Sequence, residues 1–322
     1  MKFFVRLGVA FIFLGIICLS LDKGIAYIKK SRELVIDSEE KNVNVKVEDL
    51  SYDIVDDNDL NYNPKMYANK YEKEILERNV NENYKIIKVS GTTIGSNYHY
   101  EGYMAVIYDA SKVKLAKSSG AGTTDAAYGE ILSDISKKNN AVIAMNAGGF
   151  YDPNWNSNGG IPHGTVIING KIMSDFRRGV DSGGLIGFDN NNRMVLRRMS
   201  AKQALDEGIR DAMDWGPYLI VNGKNQFENV DYYTWSCARS AIGQRSDGIV
   251  LMLVIDGLQK HSHGVSYVDM AFIMKKYGAI NAANLDGGTS SAMTVNHEYI
   301  NSPWNGQQRT LRWLPNAWIL SK

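Results

Sequence analysis

Two cysteines in 322 residues leave no disulfide framework. Cys18 lies in an apolar run near the N-terminus and Cys237 stands alone in the rest of the chain, so Cys237 has neither a disulfide partner nor a companion for a metal site. It reads as a buried, inert thiol. Excess charge is lacking too. Thirty-six basic against 35 acidic residues leave a net charge of +1, with no surplus to neutralise phosphates, so no nucleic-acid partner is expected. Histidine is scarce at five residues. There is no G-x-S-x-G elbow, and no serine triad can be ordered from those histidines. A calcium loop is lacking as well. Asp152-x-Asn154-x-Asn156-x-Asn158 begins like one, but Ser157 stands where the EF-hand requires glycine and His163 where it requires a bidentate glutamate. The segment reads as a polar surface loop, and neither metal nor cofactor is expected.

Long apolar runs are also missing, with one exception. Leu7 to Leu21 (LGVAFIFLGIICLSL) carries no charge and follows Lys2 and Arg6. No A-x-A-like cleavage site follows it. The expectation is an uncleaved signal anchor over 1–22, single-pass, with its positive end inside and the remainder extracellular at the cell membrane. A cleaved signal peptide is the alternative, and either would export the protein. Glycine is nearly absent from residues 22–85, where Gly24 stands alone among 15 acidic and 11 basic residues. Residues 23–83 read as a charged stalk or small helical pre-domain, with a surface helix over Tyr67–Arg78.

From residue 84 the pattern changes to short strands and turns. Strands are predicted over Lys85–Ser90, Tyr103–Tyr108, Val113–Ala116 and Ala141–Asn146. Two hairpins follow, Gly164–Ile168 with Lys171–Met173 across Asn169-Gly170, and Leu185–Phe188 with Arg193–Arg197 across an Asn-rich turn. Ile249–Ile255 reads as a fully buried strand, and Ala279–Leu285 as another. A helix is predicted from Thr124 to about Lys138, and a second over Tyr267–Tyr277, capped by Ser266 with Asp269 completing the box and Gly278 as the stop. The fold class is α+β, a mixed α/β domain over 84–322. It has a mainly antiparallel or mixed sheet, packed helices, and a cleft at strand ends. An internal echo, SKKNNAVIAMNAGGF (136–150) and MKKYGAINAANLDGG (274–288), repeats the order helix, Lys-Lys, strand, Asn, paired glycines. It is either an old duplication or a coincidence of helix–strand grammar.

Four clusters carry chemistry. In Asn146-Ala147-Gly148-Gly149-Phe150-Tyr151-Asp152, the glycines let backbone approach a ligand and Asn146 offers donor and acceptor to a sugar or phosphate. Trp215-Gly216-Pro217-Tyr218-Leu219-Ile220-Val221-Asn222-Gly223 reads as a bend and strand, with Trp215 or Tyr218 as stacking faces. Arg239, amid small residues at a strand start (Ala238-Arg239-Ser240-Ala241-Ile242-Gly243), can turn its fork to a phosphate or form a structural ion pair. The strongest signal is Asn284-Leu285-Asp286-Gly287-Gly288-Thr289-Ser290-Ser291. An acid at a strand end, two glycines and three hydroxyls make a polar nest beside a carboxylate.

In this order, NAGGFYD, GPYLIVNG, RSAIG, IDG and NLDGGTSS resemble the phosphodiester glycosidase family over about residues 84–321. Arg309 or Arg312 matches that family's late arginine. Departures are Ala147, Tyr151 and Thr289, the last a β-branched residue in place of a third glycine. The resemblance implies a hydrolase that cleaves a sugar from a sugar-1-phosphodiester in a cell-surface or extracellular glycan, leaving phosphate on the acceptor. Asp286 is the expected carboxylate at the anomeric carbon, as base or nucleophile, with Asp256 second. Arg239 and Arg309 are the expected phosphate clamps. Asn146, Gly148, Gly149, Gly287, Gly288, Ser290 and Ser291 would line the pocket, and His163 or His263 could supply a proton. Two rivals remain open. One is a non-catalytic surface glycan-binding protein. The other is a metal-dependent phosphodiesterase built on Asp286, Asp256, His261 and His263.

Overall fold

The computed structural model describes residues 46–47, 83–153, 157–176, 183–228, 235–303 and 311–322. The expectations for 1–22, for nearly all of 23–83 and for Arg309 lie outside the described residues. No helix among those described is long and apolar enough to cross a membrane.

Along the chain run β1 (Lys46–Val47), β2 (Tyr84–Thr92), β3 (His99–Ile107), β4 (Val113–Lys117), α1 (Leu132–Lys138), β5 (Ala141–Asn146), β6 (Gly164–Ile168) and β7 (Lys171–Phe176). Next come β8 (Leu185–Asp189), β9 (Met194–Arg197), α2 (Ala201–Asp206), β10 (Ile209–Asp214), β11 (Tyr218–Val221), β12 (Lys224–Asn225) and β13 (Arg239–Arg245). The last are β14 (Val250–Ile255), α3 (Tyr267–Lys276), β15 (Ala279–Asn284), β16 (Met293–Val295), β17 (Glu298–Tyr299) and β18 (Asn316–Ser321). They form an eight-stranded sheet, β1-β2-β3-β14-β13-β15-β11-β12, and two five-stranded sheets, β7-β6-β10-β8-β9 and β17-β16-β5-β18-β4. Every pairing between these strands is antiparallel, which settles the antiparallel-or-mixed alternative.

The three sheets share one core. Strand β14 shows how, because every one of its residues is buried and successive side chains leave on opposite faces. Val250, Met252 and Val254 point into a cluster with Met145, Trp318 and Leu115 of one small sheet and Ile186, Phe188 and Met213 of the other. Leu251, Leu253 and Ile255 point the other way, onto Met270, Ile273 and Met274 of α3. The small sheets repeat the scheme, one backed by Leu132 and Ile135 of α1 and the other by Ala204 of α2. Each sheet thus turns one face to the common core and the other to its own helix. Such two-sided burial explains the continuous apolar runs of β5 and β14.

Local chemistry explains most element ends. Ser266 accepts from the Asp269 amide, and Asp269 returns the bond to the Ser266 amide, which fixes the start of α3. Gly278 follows α3 at φ +83°. Asn169 and Gly170 take φ +50° and +68°, the left-handed pair that a two-residue hairpin needs. The helix expected from Thr124 forms only from Leu132. Residues before it are committed to other partners: Gly129 donates to the Asn158 carbonyl, and Glu130 exchanges backbone bonds with Leu314. A side chain at Gly129 would meet backbone atoms of residues 159 and 314 at 2.8–2.9 Å, so tertiary pairing overrides helical propensity there.

Candidate active site

The two echoed segments form α1–β5 and α3–β15, in different sheets, and their strand ends meet. The Asp286 amide donates to the Ala147 carbonyl at 3.0 Å, and Asn146 Nδ2 donates to the Asp286 carbonyl at 2.7 Å. Asn146 is fully buried, and its Oδ1 accepts from Ser240 Oγ (2.7 Å) and the Ala292 amide (3.1 Å). It ties three strands together beneath the site rather than offering itself to a ligand. The Gly148 amide donates to Asn316 Oδ1 at 2.9 Å, which adds β18 to the junction.

The paired glycines of the first cluster serve protein packing. A side chain on Gly149 would start 2.1 Å from the Trp215 ring, and one on Gly148 would start 3.2 Å from the Met213 sulfur. Trp215 therefore lies directly on Gly149. It stacks with His163, with ring centroids 6.1 Å apart. His163 is half-buried, its amide bonds the Gly149 carbonyl, and burial pushes its imidazole below the usual histidine range. His263, the other expected proton donor, stacks instead on Tyr98 at 4.0 Å.

The Asp286 turn is bracketed by the start of β13. Leu285 donates to the Ser240 carbonyl and Gly288 to the Ala238 carbonyl, both at 2.8 Å. Gly288 takes φ +60° with open space around it, while Thr289 sits in the short 3-10 turn Gly288–Ser290 outside the left-handed region. The substitution of threonine for a third glycine is thereby accommodated. The Asp286 carboxyl accepts from its neighbour's Gly287 amide at 3.1 Å and from the Ser290 side chain. Burial outweighs these bonds and the Arg312 charge, and with the Asp152 charge it pushes the carboxyl up to about 6. Ser291 lies behind this shell, fully buried.

Arg239 occupies the position between the bracketing carbonyls. Its Nε donates to the Val265 carbonyl (3.1 Å) and one terminal nitrogen to the Trp235 carbonyl (2.7 Å), and its plane lies 3.8 Å from the Tyr267 ring centroid. The other terminal nitrogen faces Gly287, 3.7 Å from where a side chain there would begin. The fork is held by backbone carbonyls and the Tyr267 ring, and one arm is left toward Gly287.

Asp256 is placed differently from expectation. It is buried, with His261 Nε2 at 3.0 Å, Asn301 Nδ2 at 2.9 Å and the Ser302 amide at 3.0 and 3.1 Å from its two oxygens. Asn301 in turn donates to the Ser291 carbonyl and accepts from the Met293 amide. This carboxylate is saturated by donors and fastens two loops behind the Asp286 turn. Asp152, read from sequence as loop, instead enters the site. Its Oδ1 accepts from the Ser157 amide at 2.7 Å and its Oδ2 is ion-paired with Arg312. The Arg312 guanidinium lies 4.7 Å from the Phe150 ring centroid. Of the two late arginines, Arg312 acts on the Asp286 carboxyl, and Arg309 lies outside the described residues. The available signal was the Phe-Tyr-Asp ending of the first cluster, but only the fold shows what faces it. Among the described residues no group of three histidine, cysteine or acidic side chains is placed to hold a metal ion.

An antiparallel three-sheet fold with a proton-exchanging carboxyl and two fixed guanidiniums at converging strand ends has the make-up of a site for hydrolysing an anionic glycoside. Residues 139–321 match the phosphodiester glycosidase family, and the chain belongs to it. It is 32% identical over 217 residues to the prophage-derived protein YomE of Bacillus subtilis (strain 168), covering 63% of this chain and 31% of that one. It is 28% identical over 148 residues to human N-acetylglucosamine-1-phosphodiester alpha-N-acetylglucosaminidase, covering 39% and 28%. The chain thus spans about a third or less of the length of these relatives. The zebrafish N-acetylglucosamine-1-phosphodiester alpha-N-acetylglucosaminidase catalytic domain shares the fold, with a TM-score of 0.60 at 19% identity over 74% of this chain and 83% of that one.

Proposed function

We propose that this protein hydrolyses a sugar-1-phosphodiester at the glycosidic C–O bond, releasing free sugar and leaving phosphate on the acceptor. The observation that carries this reading is Asp286 at a strand end, its carboxyl pushed up to about 6 by burial, with the Arg312 charge acting on it and one arm of Arg239 turned to the adjacent Gly287. Water attacks the anomeric carbon and gives its proton to ionised Asp286. The C–O electron pair departs with the phosphodiester oxygen, whose charge Arg239 and Arg312 offset. A phosphodiester is a good leaving group, so a carboxylate at the anomeric carbon and cations at the phosphate suffice as the main catalytic groups. The uncharged run Leu7–Leu21 supports a membrane-anchored protein with this domain outside the cell, and hence a cell-surface phosphoglycan as substrate.

The test is incubation of the full chain with UDP-N-acetylglucosamine and simpler α-sugar-1-phosphodiesters, with and without EDTA. Free sugar released in EDTA and lost in Asp286→Asn is the expected result. EDTA-sensitive release of sugar phosphate would instead make it a metal-dependent phosphodiesterase. Saturable glycan binding with no release would make it a binding protein.

A further inference from the structure

Asp152 is held with more care than a surface loop requires. The Ser157 amide fixes one oxygen, Arg312 pairs with the other, and Arg312 is itself laid over Phe150. The loops that carry these residues are clamped together. Gly129 donates to the Asn158 carbonyl, Asn158 Nδ2 donates to the Ala127 carbonyl at 2.9 Å, and Glu130 and Leu314 exchange backbone bonds. Gly159, at φ +68°, leaves so little room that a side chain would start 2.1 Å from the Trp313 carbonyl oxygen, directly after Arg312. This crossing of three loops sets Asp152 and Arg312 against Asp286, close enough for both charges to act on its carboxyl.

We propose that Asp152 is the second working carboxylate of the site, held as a partner to Asp286 by its ion pair with Arg312. The inference rests on the hydrolase reading above. Two carboxyls in different environments divide the labour of glycoside hydrolysis: one exchanges a proton and the other stays ionised to offset positive charge at the anomeric carbon. Arg312 pairs with one Asp152 oxygen, while Asp286 has burial and the Asp152 charge working against its ionisation. The charges that act on the Asp286 carboxyl are Asp152 and Arg312, and one arm of Arg239 faces the adjacent Gly287. Asp256, the other carboxylate of the neighbourhood, is saturated by His261, Asn301 and Ser302.

The experiment is Asp152→Asn in the full chain, with Asp152→Glu beside it. Asparagine keeps an acceptor for the Ser157 amide and removes the charge. Two readouts are taken: the pH profile of kcat/KM on a sugar-1-phosphodiester, and the titration of the Asp286 carboxyl carbon by NMR without substrate. The expected result is about a 100-fold loss in kcat/KM, partial recovery in the glutamate variant, and an Asp286 titration displaced to lower pH. A titration that stays in place, or kcat/KM within about five-fold of wild type, overturns the proposal. If wild type cleaves no sugar phosphodiester, the hydrolase reading fails and the catalytic role of Asp152 fails with it. The titration then still decides whether the two carboxyls are coupled.

Discussion

Gly149 and Trp215 share a space that admits only a hydrogen atom: a side chain built on Gly149 would begin 2.1 Å from the indole ring. The indole is pressed onto Gly149 and stacks with His163. Gly149 is therefore explained by a tryptophan 66 residues further along the chain, while Gly148 faces Met213. Gly149→Ala must displace that ring. Overpacking of this kind costs about 1–3 kcal/mol, and the ring movement reaches His163. The expected outcome is a lower urea midpoint together with at least about a ten-fold drop in kcat/KM. Gly170→Ala, where a side chain would meet nothing, serves as a control for backbone strain alone.

The pH dependence of activity follows from Asp286. A base titrating at about 6 is ionised above that pH and protonated below it. The kcat/KM profile should therefore hold level near neutrality and fall ten-fold per pH unit below about 6. The Asp286→Asn variant should lose at least about 100-fold at pH 7.5, and its residual rate should show no such limb. Residual activity that keeps the limb would assign the titration to another group.

Stability carries the opposite sign. A carboxyl whose folded-state pKa is raised binds its proton more tightly folded than unfolded. Its contribution is fully present below the unfolded value and is lost as pH rises through about 6. At pH 8 the ionised, half-buried carboxylate is then a cost of about 3 kcal/mol. Asp286→Asn should be more stable than wild type at pH 8 and little different at pH 4, by urea unfolding at both values. The site exchanges stability for function at this residue.

How much of this was legible in the sequence depends on whether the deciding partner lies nearby in the chain. Hairpin turns, the α3 capping box and the glycine after α3 are local, and Asn169-Gly170, Ser266, Asp269 and Gly278 announce them. The buried strands β5 and β14 were legible because they are packed on both faces and read as apolar runs. Asp286 was legible because an acid, two glycines and hydroxyls fall together at a strand end. Asp152 was not, because its partner Arg312 is 160 residues away. Asp256 misled for the same reason: an acid at a strand end looks alike whether its oxygens face a substrate or are filled by Asn301 and Ser302 from 45 residues on. The helix expected from Thr124 failed because Leu314 and Asn158 compete for that backbone.

Arg239 joins structure to chemistry, so its variants should separate the two. Arg239→Lys cannot reach the Val265 and Trp235 carbonyls and the Asp286 turn at once, and it loses the planar stack on Tyr267. A compact ammonium still supplies a positive charge. We expect Arg239→Lys to raise KM by about ten-fold or more with a smaller change in kcat if the arm toward Gly287 binds phosphate in the ground state. Equal losses in kcat and kcat/KM would place its contribution in the transition state alone.

Asp256 gives the sharpest contrast with Asp286. Its oxygens accept from His261, Asn301 and the Ser302 amide, and Asn301 passes the connection to the Ser291 carbonyl and the Met293 amide. Replacing one oxygen by an amide nitrogen turns an acceptor into a donor facing donors. A buried mismatch of this kind costs about 1–3 kcal/mol. The Asp256→Asn variant should therefore unfold at lower urea while keeping kcat/KM within about ten-fold of wild type at a temperature where it is folded. Its pH profile should keep the limb near 6, because Asp256 is not among the charges that act on Asp286. A loss as deep as that of Asp286→Asn with unchanged stability would mean that Asp256 leaves its loop partners and works on the substrate. The two-carboxylate assignment would then pass from Asp152 to Asp256.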